Sequence, residues 1–225
     1  MECPPFARGE SKDFCPPLPE WKIEEGLIDY PNALATMESR ALAIFQDQAP
    51  ELIWLCEHPS LYTLGTSGKD EDVLENAPFP AFHSGRGGQV TYHGPGQRIA
   101  YVMLDLKNRG ADLRSYVRNL EGWIIQALLH LGVTGFRAEG RVGIWVDING
   151  QEKKIAAIGV RVKKWVTLHG ISLNVNPDLS HYNHIIPCGL PQYGLTSLED
   201  LGITASFKEV DHALQIAFTE VFHAH

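Results

Sequence analysis

The chain has 225 residues, 44% of them hydrophobic, which supplies one sizeable core and fits a single large domain. Its 27 acidic side chains outnumber its 19 basic ones, for a net charge of −8, and that balance excludes the basic surface on which non-specific nucleic-acid binding depends. No segment reaches the roughly 20 apolar residues of a membrane span, and the N-terminus carries Glu2, Arg8 and Asp13 without the apolar stretch of a signal peptide, so the expectation is a soluble protein of the cytoplasm with no membrane partner.

Residues 1–20 hold five prolines and read as an extension with little regular structure; the folded domain is expected over 21–225. From Ala33 to Gln48 the apolar positions Leu34, Met37, Ala41, Ile44 and Phe45 recur at helical spacing. Glu51 to Glu57 reads as a strand, His58 to Gly68 as a turn-rich connection, and Arg98 to Leu106 as a central strand. The clearest helix runs from Asp112 to Leu131, with Leu113, Tyr116, Val117, Leu120, Trp123, Ile124, Ala127, Leu128 and Leu131 on one face. Asp112 can cap its start and Gly132 can end it. Three strand-like runs follow near 142–148, 154–162 and 165–175, the first two joined by the hairpin signal Asn149-Gly150. A last helix opens at Ser206, where Glu209 completes a capping box, and buries Phe207, Val210, Leu214, Ala217, Phe218 and Val221. Strands and helices in this order predict an α+β fold rather than alternating βαβ units.

The four cysteines are Cys3, Cys15, Cys56 and Cys188, with no CxxC spacing, so each stands alone as a thiol. Cys56 ends the apolar run Leu52-Ile-Trp-Leu-Cys and reads as a core residue. Cys188 differs: Pro187 before it fixes the chain and Gly189 after it allows close approach of backbone. A reactive thiol needs a positive neighbour, for which Lys154, His169, His181 and His184 are the candidates. Without one, Cys188 is a buried loop cysteine.

Strict alternation along 154–162 places Lys154 on one face with Ala156, Ile158, Val160 and Val162, opposite Ile155, Ala157, Gly159 and Arg161. Taken alone, Lys154 is a strand-end lysine with its head in water. The segment Arg86–Gln97 is dense in glycine; Gly87 and Gly88 can turn backbone N–H groups toward a ligand oxygen. No Gly-Lys-Ser/Thr follows, so it is not a Walker loop, and Ile99 replaces the third glycine of a dinucleotide fingerprint. Taken alone, it is a hairpin with a tight turn, and His93 a turn or core histidine. His181 and His184 are three apart without a third ligand nearby, and no metal site is expected. Arg161, Lys163 and Lys164 form a local basic cluster, either a solvated strand end or a docking point for an acidic partner.

Five segments occur in one order: Glu57–Gly65, Gly85–Gln97, Lys154–Gly159, Leu168–Asn176 and Pro187–Gly189. In that order they resemble the octanoyltransferases of lipoate biosynthesis, also called lipoyl(octanoyl) transferases. The resemblance implies an α+β fold like that of biotin and lipoate protein ligases, with a mixed sheet flanked by helices and a small C-terminal subdomain closing over the site. It implies transfer of an octanoyl group from octanoyl-acyl carrier protein to a lysine of lipoyl domains, those of 2-oxoacid dehydrogenase subunits and the glycine cleavage H protein. By the same resemblance Cys188 carries the acyl group as a thioester and Lys154 lowers its pKa. Substrate binding then falls to Arg86, Gly87, Gly88, Gln89, Val90, Thr91, Tyr92 and His93, with Ala157, Ile158, Gly159, Gly170, Ile171 and Ser172. No cofactor beyond the covalent octanoyl thioester is implied, and a monomer is expected. Two other readings share parts of the pattern: an ATP-dependent lipoate or biotin protein ligase, which has no use for the thiol, and a catalytically silent module that binds acyl carrier or lipoyl domains.

Overall fold

The computed structural model describes residues 17–186 and 193–223. Its main sheet contains β1 (Glu20–Leu27), β2 (Leu52–Glu57), β6 (Gln97–Met103), β10 (Val166–Asn174), β9 (Gln151–Lys163), β8 (Arg141–Ile148) and β7 (Phe136–Ala138), side by side in that order. β1 and β2 run parallel and the remaining neighbours antiparallel. β9 outruns β10, and the short β11 (Gly194–Leu195) takes up its free edge at Lys153 and Lys154. A second sheet has the order β4 (Ala81–His83), β3 (Leu61–Leu64), β5 (Val90–His93). This is the mixed-sheet α+β architecture expected from the sequence.

The central strands are apolar because both faces are covered. Ile53 and Leu55 of β2, Ala100 and Val102 of β6, and Ile171 and Leu173 of β10 join a core with helices α2 (Leu113–His130) and α3 (Phe207–Phe222). The alternate residues Trp54, Cys56, Ile99, Tyr101 and Met103 pack against α1 (Tyr30–Phe45). Helix α3 shares the α2 core, and the Trp123 indole N–H donates to the Leu214 carbonyl at 2.7 Å. The second sheet closes a third cluster, in which Tyr62, Leu64, Val90 and Tyr92 meet Tyr182 and Ile185.

Helices α2 and α3 follow the expected caps. The Asp112 carboxylate accepts from the Arg114 and Ser115 amides, and Ser206 with Glu209 forms a reciprocal box. Helix α1 begins three residues before the expected Ala33, because Pro31 sits in its first turn, where its missing N–H costs nothing. Residues 1–16, including Cys3 and Cys15, lie outside the described residues, and ordered strand begins at Glu20.

Two expectations are corrected. His58–Gly68 is not only a connection, since Leu61–Leu64 is a fully buried strand. Arg86–Gln97 is not a hairpin either: β5 pairs with β3, whereas β6 pairs with β2 and β10. The turn between β5 and β6 therefore carries the chain from one sheet to the other. Gly96 makes this possible at φ +88°, with an added Cβ falling 2.6 Å from the Asn176 carbonyl.

Candidate active site

Lys154 is held between two strands, opposite Trp145 of β8 and Leu195 of β11, and its carbonyl accepts from the Thr196 amide at 3.0 Å. Between Trp145–Lys154 and Ile144–Ala156 the register slips by one residue. Ile155 is the extra residue of a β-bulge, and both Ile155 and Ala156 fall into the α2–α3 core. The slip reverses the alternation expected from the sequence. Lys154 shares its face with Ala157 and Gly159, not with Ala156 and Ile158 as strict alternation requires, and these three line one cavity.

That cavity measures about 250 Å³. Two cross-strand pairs of small residues form its floor, Ala157 with Ser172 and Gly159 with Gly170. The 86–93 segment lies over this floor. The Gly87 amide donates to the Val160 carbonyl at 2.9 Å, and a Cβ on Gly159 would fall 2.8 Å from Arg86 Cδ. Glycine at 159 is thus required for the loop to rest on the strand. Of the residues expected to bind substrate, Arg86, Gly88, Gln89, Val90, Thr91 and His93 reach the cavity, with Ala157, Ile158, Gly159, Gly170, Ile171 and Ser172. Gly87 and Tyr92 lie off it: Gly87 braces the loop, and Tyr92 is buried in the third cluster with its hydroxyl 3.0 Å from Ser60 Oγ. Cys188 lies outside the described residues.

The polar groups around the cavity form two ordered chains. In the first, the Arg86 guanidinium donates to the carbonyls of Thr63, Gly87 and Gln89 at 2.8, 2.9 and 2.9 Å, and to Thr63 Oγ1 at 2.9 Å. The Gln97 amide nitrogen donates to Asn174 and Tyr182, which leaves its carbonyl to accept from His93 Nδ1 at 2.9 Å. His93 Nε2 is then the acceptor for the Thr63 hydroxyl at 3.2 Å. In the second chain, His58 Nδ1 donates to the Ile28 carbonyl and Nε2 accepts from the Tyr101 hydroxyl, each at 2.6 Å.

Burial keeps these imidazoles neutral. Desolvation, with the nearby His58 ring and the Arg86 charge adding to it, pushes His93 down to about 3. Desolvation, then Arg86 and Arg161, push His169 down to about 4. His58 is lowered by burial as well. His169 therefore carries no charge near neutral pH and cannot be the cation beside a thiol, one of the options left open by the sequence. His181 packs against Phe79 and Tyr92, with ring centroids at 4.7 and 5.1 Å. Cys56 is an inert core thiol, pushed up to about 12 by burial.

The cavity lining holds the cations Arg86, Arg141 and Lys154 and no carboxylate among the described residues. The Lys154 amino nitrogen lies 4.9 Å from the centroid of Trp145. Arg141 stacks on Trp145 and Tyr193, at 4.3 and 4.1 Å, and pairs with Glu152. A slot floored by small residues and lined by basic side chains suits an elongated group that carries developing negative charge beside them. Sequence reasoning missed Tyr30, Thr63, Tyr101 and Arg141 as lining residues. Their only signal is a strand or helix position whose neighbours across the fold are set by topology. Among the described residues no group of three or more His, Cys, Asp or Glu is placed to hold a metal, and no helix is long and apolar enough to cross a membrane.

A family model for the lipoyl protein ligase A/B catalytic domain matches residues 29–219. The chain is 58% identical over 206 residues to an octanoyltransferase of Paramagnetospirillum magneticum, covering 91% of this chain and 97% of that one. It is 59% identical over 199 residues to an octanoyltransferase of Sphingopyxis alaskensis, covering 88% and 91%. Among solved structures, lipoate-protein ligase A bound with ATP superposes with a TM-score of 0.71 at 20% identity, over 91% of this chain and 85% of the other. A bipartite lipoate protein ligase from Thermoplasma acidophilum gives 0.69 at 19%, over 92% and 85%. At these identities the structural likeness speaks for the fold alone.

Proposed function

The chain belongs to the lipoyl protein ligase A/B catalytic domain family, and we propose that it is an octanoyltransferase of protein lipoylation, moving an octanoyl group from octanoyl-acyl carrier protein to a lysine of a lipoyl domain. The observation that carries this reading is that Lys154 lines a slot floored by Ala157, Ser172, Gly159 and Gly170, in a chain 56–59% identical to octanoyltransferases. Cys188 is the acyl carrier and Lys154 its acid–base partner. The Cys188 thiol gives its proton to the Lys154 amine and attacks the thioester carbonyl of the donor. The tetrahedral oxyanion collapses, expels the donor thiolate, which takes the proton back from Lys154, and leaves an octanoyl thioester on Cys188. The acceptor lysine then attacks that thioester, loses a proton to Lys154, and releases the Cys188 thiol, forming an amide. The positive charges of Lys154 and Arg141 favour both oxyanions. Donor and intermediate are both thioesters, so the first step needs no ATP, and the stability of the amide draws the second forward. No metal or organic cofactor takes part, and the enzyme works as a monomer in the cytoplasm.

The deciding experiment is intact-mass analysis after incubation with octanoyl-acyl carrier protein in the absence of ATP. A single octanoyl adduct, removed by hydroxylamine and absent from Cys188→Ala, is expected. Retention of the adduct and of normal transfer by Cys188→Ala overturns the assignment. A strict requirement for ATP and free octanoate instead identifies an adenylating ligase.

A further inference from the structure

A second depression adjoins the cavity. Its volume is about 750 Å³, and it lies between α2 and the β7–β8 turn. The two share Gly140, Arg141 and Val142, so this turn is the wall between the groove and the cavity that Lys154 also lines. The groove thus forms a path along the surface from α2 to this shared wall.

The charge along this path runs against that of the chain. The molecule carries −8 overall, yet Arg114, Arg118, Arg137 and Arg141 all line the groove, against Glu121 and Glu139. Arg137 is paired with Glu121 at 3.2 Å, and Arg141 with Glu152. Arg114 and Arg118 are exposed one turn apart on α2, and neither has an ion pair with a described residue. Exposed apolar side chains accompany them, Leu113 at 44% and Val142 at 53%. Arginines beside solvated apolar groups are the composition of a recognition surface. In an acidic molecule, a positive strip also steers an acidic partner toward it.

We infer that this groove is the docking surface for the acidic carrier protein that delivers the acyl group. The inference rests on the proposed transfer reaction and names the partner face of its site. Donor is favoured over acceptor by the chemistry at the shared turn. An acyl carrier presents its thioester at the end of a flexible arm joined through a phosphodiester, whereas an acceptor lysine brings no anion. Arg141 lines both groove and cavity, held by Glu152 and stacked on Trp145 and Tyr193, and its fixed positive charge at the shared turn attracts the phosphodiester of that arm. The cluster Arg161, Lys163 and Lys164 is the weaker candidate. Arg161 is paired with Glu38, Lys164 stacks 4.2 Å over Phe45, and Lys163 is nine residues along β9 from Lys154. At about 3.3 Å per residue that places it roughly 30 Å from the reacting amine.

The test compares full-length wild type with Arg114→Glu/Arg118→Glu, and with Lys163→Glu/Lys164→Glu, on two donors, octanoyl-acyl carrier protein and octanoyl-pantetheine. The α2 variant is expected to lose about tenfold or more in kcat/KM with the carrier, mostly through KM. It should keep its rate with octanoyl-pantetheine and its KM for the lipoyl acceptor. Added salt should weaken the carrier reaction of wild type more than that of the variant. An unchanged carrier KM, an equal loss on both donors, a loss in the Lys163/Lys164 variant alone, or an effect on the acceptor KM each overturns the assignment. Should the double reversal fold poorly by circular dichroism, Arg114→Gln/Arg118→Gln takes its place. Titration of labelled carrier protein onto wild type and variant reads docking without turnover. Binding that the variant loses upholds the groove even if wild type transfers from no thioester, an outcome that defeats the transfer reading alone.

Discussion

Arg98 of β6 and Asp211 of α3 form a bidentate pair inside the molecule, at 2.6 and 2.5 Å, with side-chain exposures of 4% and 6%. The residues are 113 positions apart, and the pair fastens the C-terminal helix to the central sheet, with the guanidinium also 4.9 Å from the Phe207 ring. Removing one partner of such a pair strands a charge in low dielectric. Asp211→Ala is expected to cost about 3–5 kcal/mol in urea unfolding. Replacing both with apolar residues, Arg98→Met with Asp211→Leu, should recover most of that loss, because the penalty lies in the orphaned charge rather than in the missing attraction.

The bulge at Ile155 yields a second prediction. Gly143 faces it across β8 at φ +117°, and a Cβ there would lie 2.7 Å from the Ala156 carbonyl oxygen and 3.3 Å from Lys154 Cε. Gly143→Ala therefore strains the backbone and displaces the lysine together. A stability loss of about 1–3 kcal/mol is expected by thermal or urea melts. In octanoyl transfer, kcat should fall by more than KM rises, since the cavity over Ala157 and Gly159 is untouched. A variant that matches wild type in kcat would show that Lys154 need not sit where the bulge puts it.

The same bulge marks the limit of what could be read from the chain. Lys154-Ile-Ala-Ala-Ile is equally apolar in either phase, so nothing local says that Ile155 and Ala156 share a face. Helices α2 and α3 were legible because each buries one stripe against the sheet and declares its start with a side-chain cap. Strand β1 was not, because it is an edge strand, largely exposed, and so carries no alternating pattern. The two-residue turns show the contrast most directly. Asn149-Gly150 and Lys164-Trp165 both adopt positive φ, at 55 and 81° and at 54 and 68°. Only the first uses residues that prefer that conformation. Lys154 and the glycines of the 86–93 loop were found as motifs, but the cavity they share with Tyr30, Thr63 and Tyr101 depends on pairings between distant strands.

Buried neutral histidines make stability depend on pH. His93 and His169 are held at about 3 and about 4 in the folded chain, against about 6.5 when unfolded. Between these values the unfolded chain binds protons that the native chain refuses. Their contribution is complete above about pH 6.5 and is lost as the pH falls toward 4 and then 3. Each can add up to about 1.4 kcal/mol per pH unit within its window. Urea midpoints measured from pH 7 to pH 4 should fall on acidification, and His93→Gln should flatten that slope while lowering stability at pH 7. A slope identical in wild type and variant would mean that His93 titrates alike in both states.

The last prediction concerns Lys154 and the thiol assigned to it. If Lys154 takes the proton of Cys188, the thiolate forms at lower pH with the lysine present than without it. Iodoacetamide alkylation of Cys188, followed by peptide mass against pH, should shift to higher pH in Lys154→Ala. Lys154→Arg should keep the positive charge and restore most of the alkylation profile, yet fail to restore transfer, because a guanidinium holds its proton throughout and cannot accept one. Cys56, buried and pushed up to about 12, serves as the unreactive internal control. The split between charge and proton transfer separates two roles that a simple loss of activity would merge. Recovery of full transfer by Lys154→Arg would leave the lysine an electrostatic partner only, and an unchanged alkylation profile in Lys154→Ala would remove it from the thiol altogether.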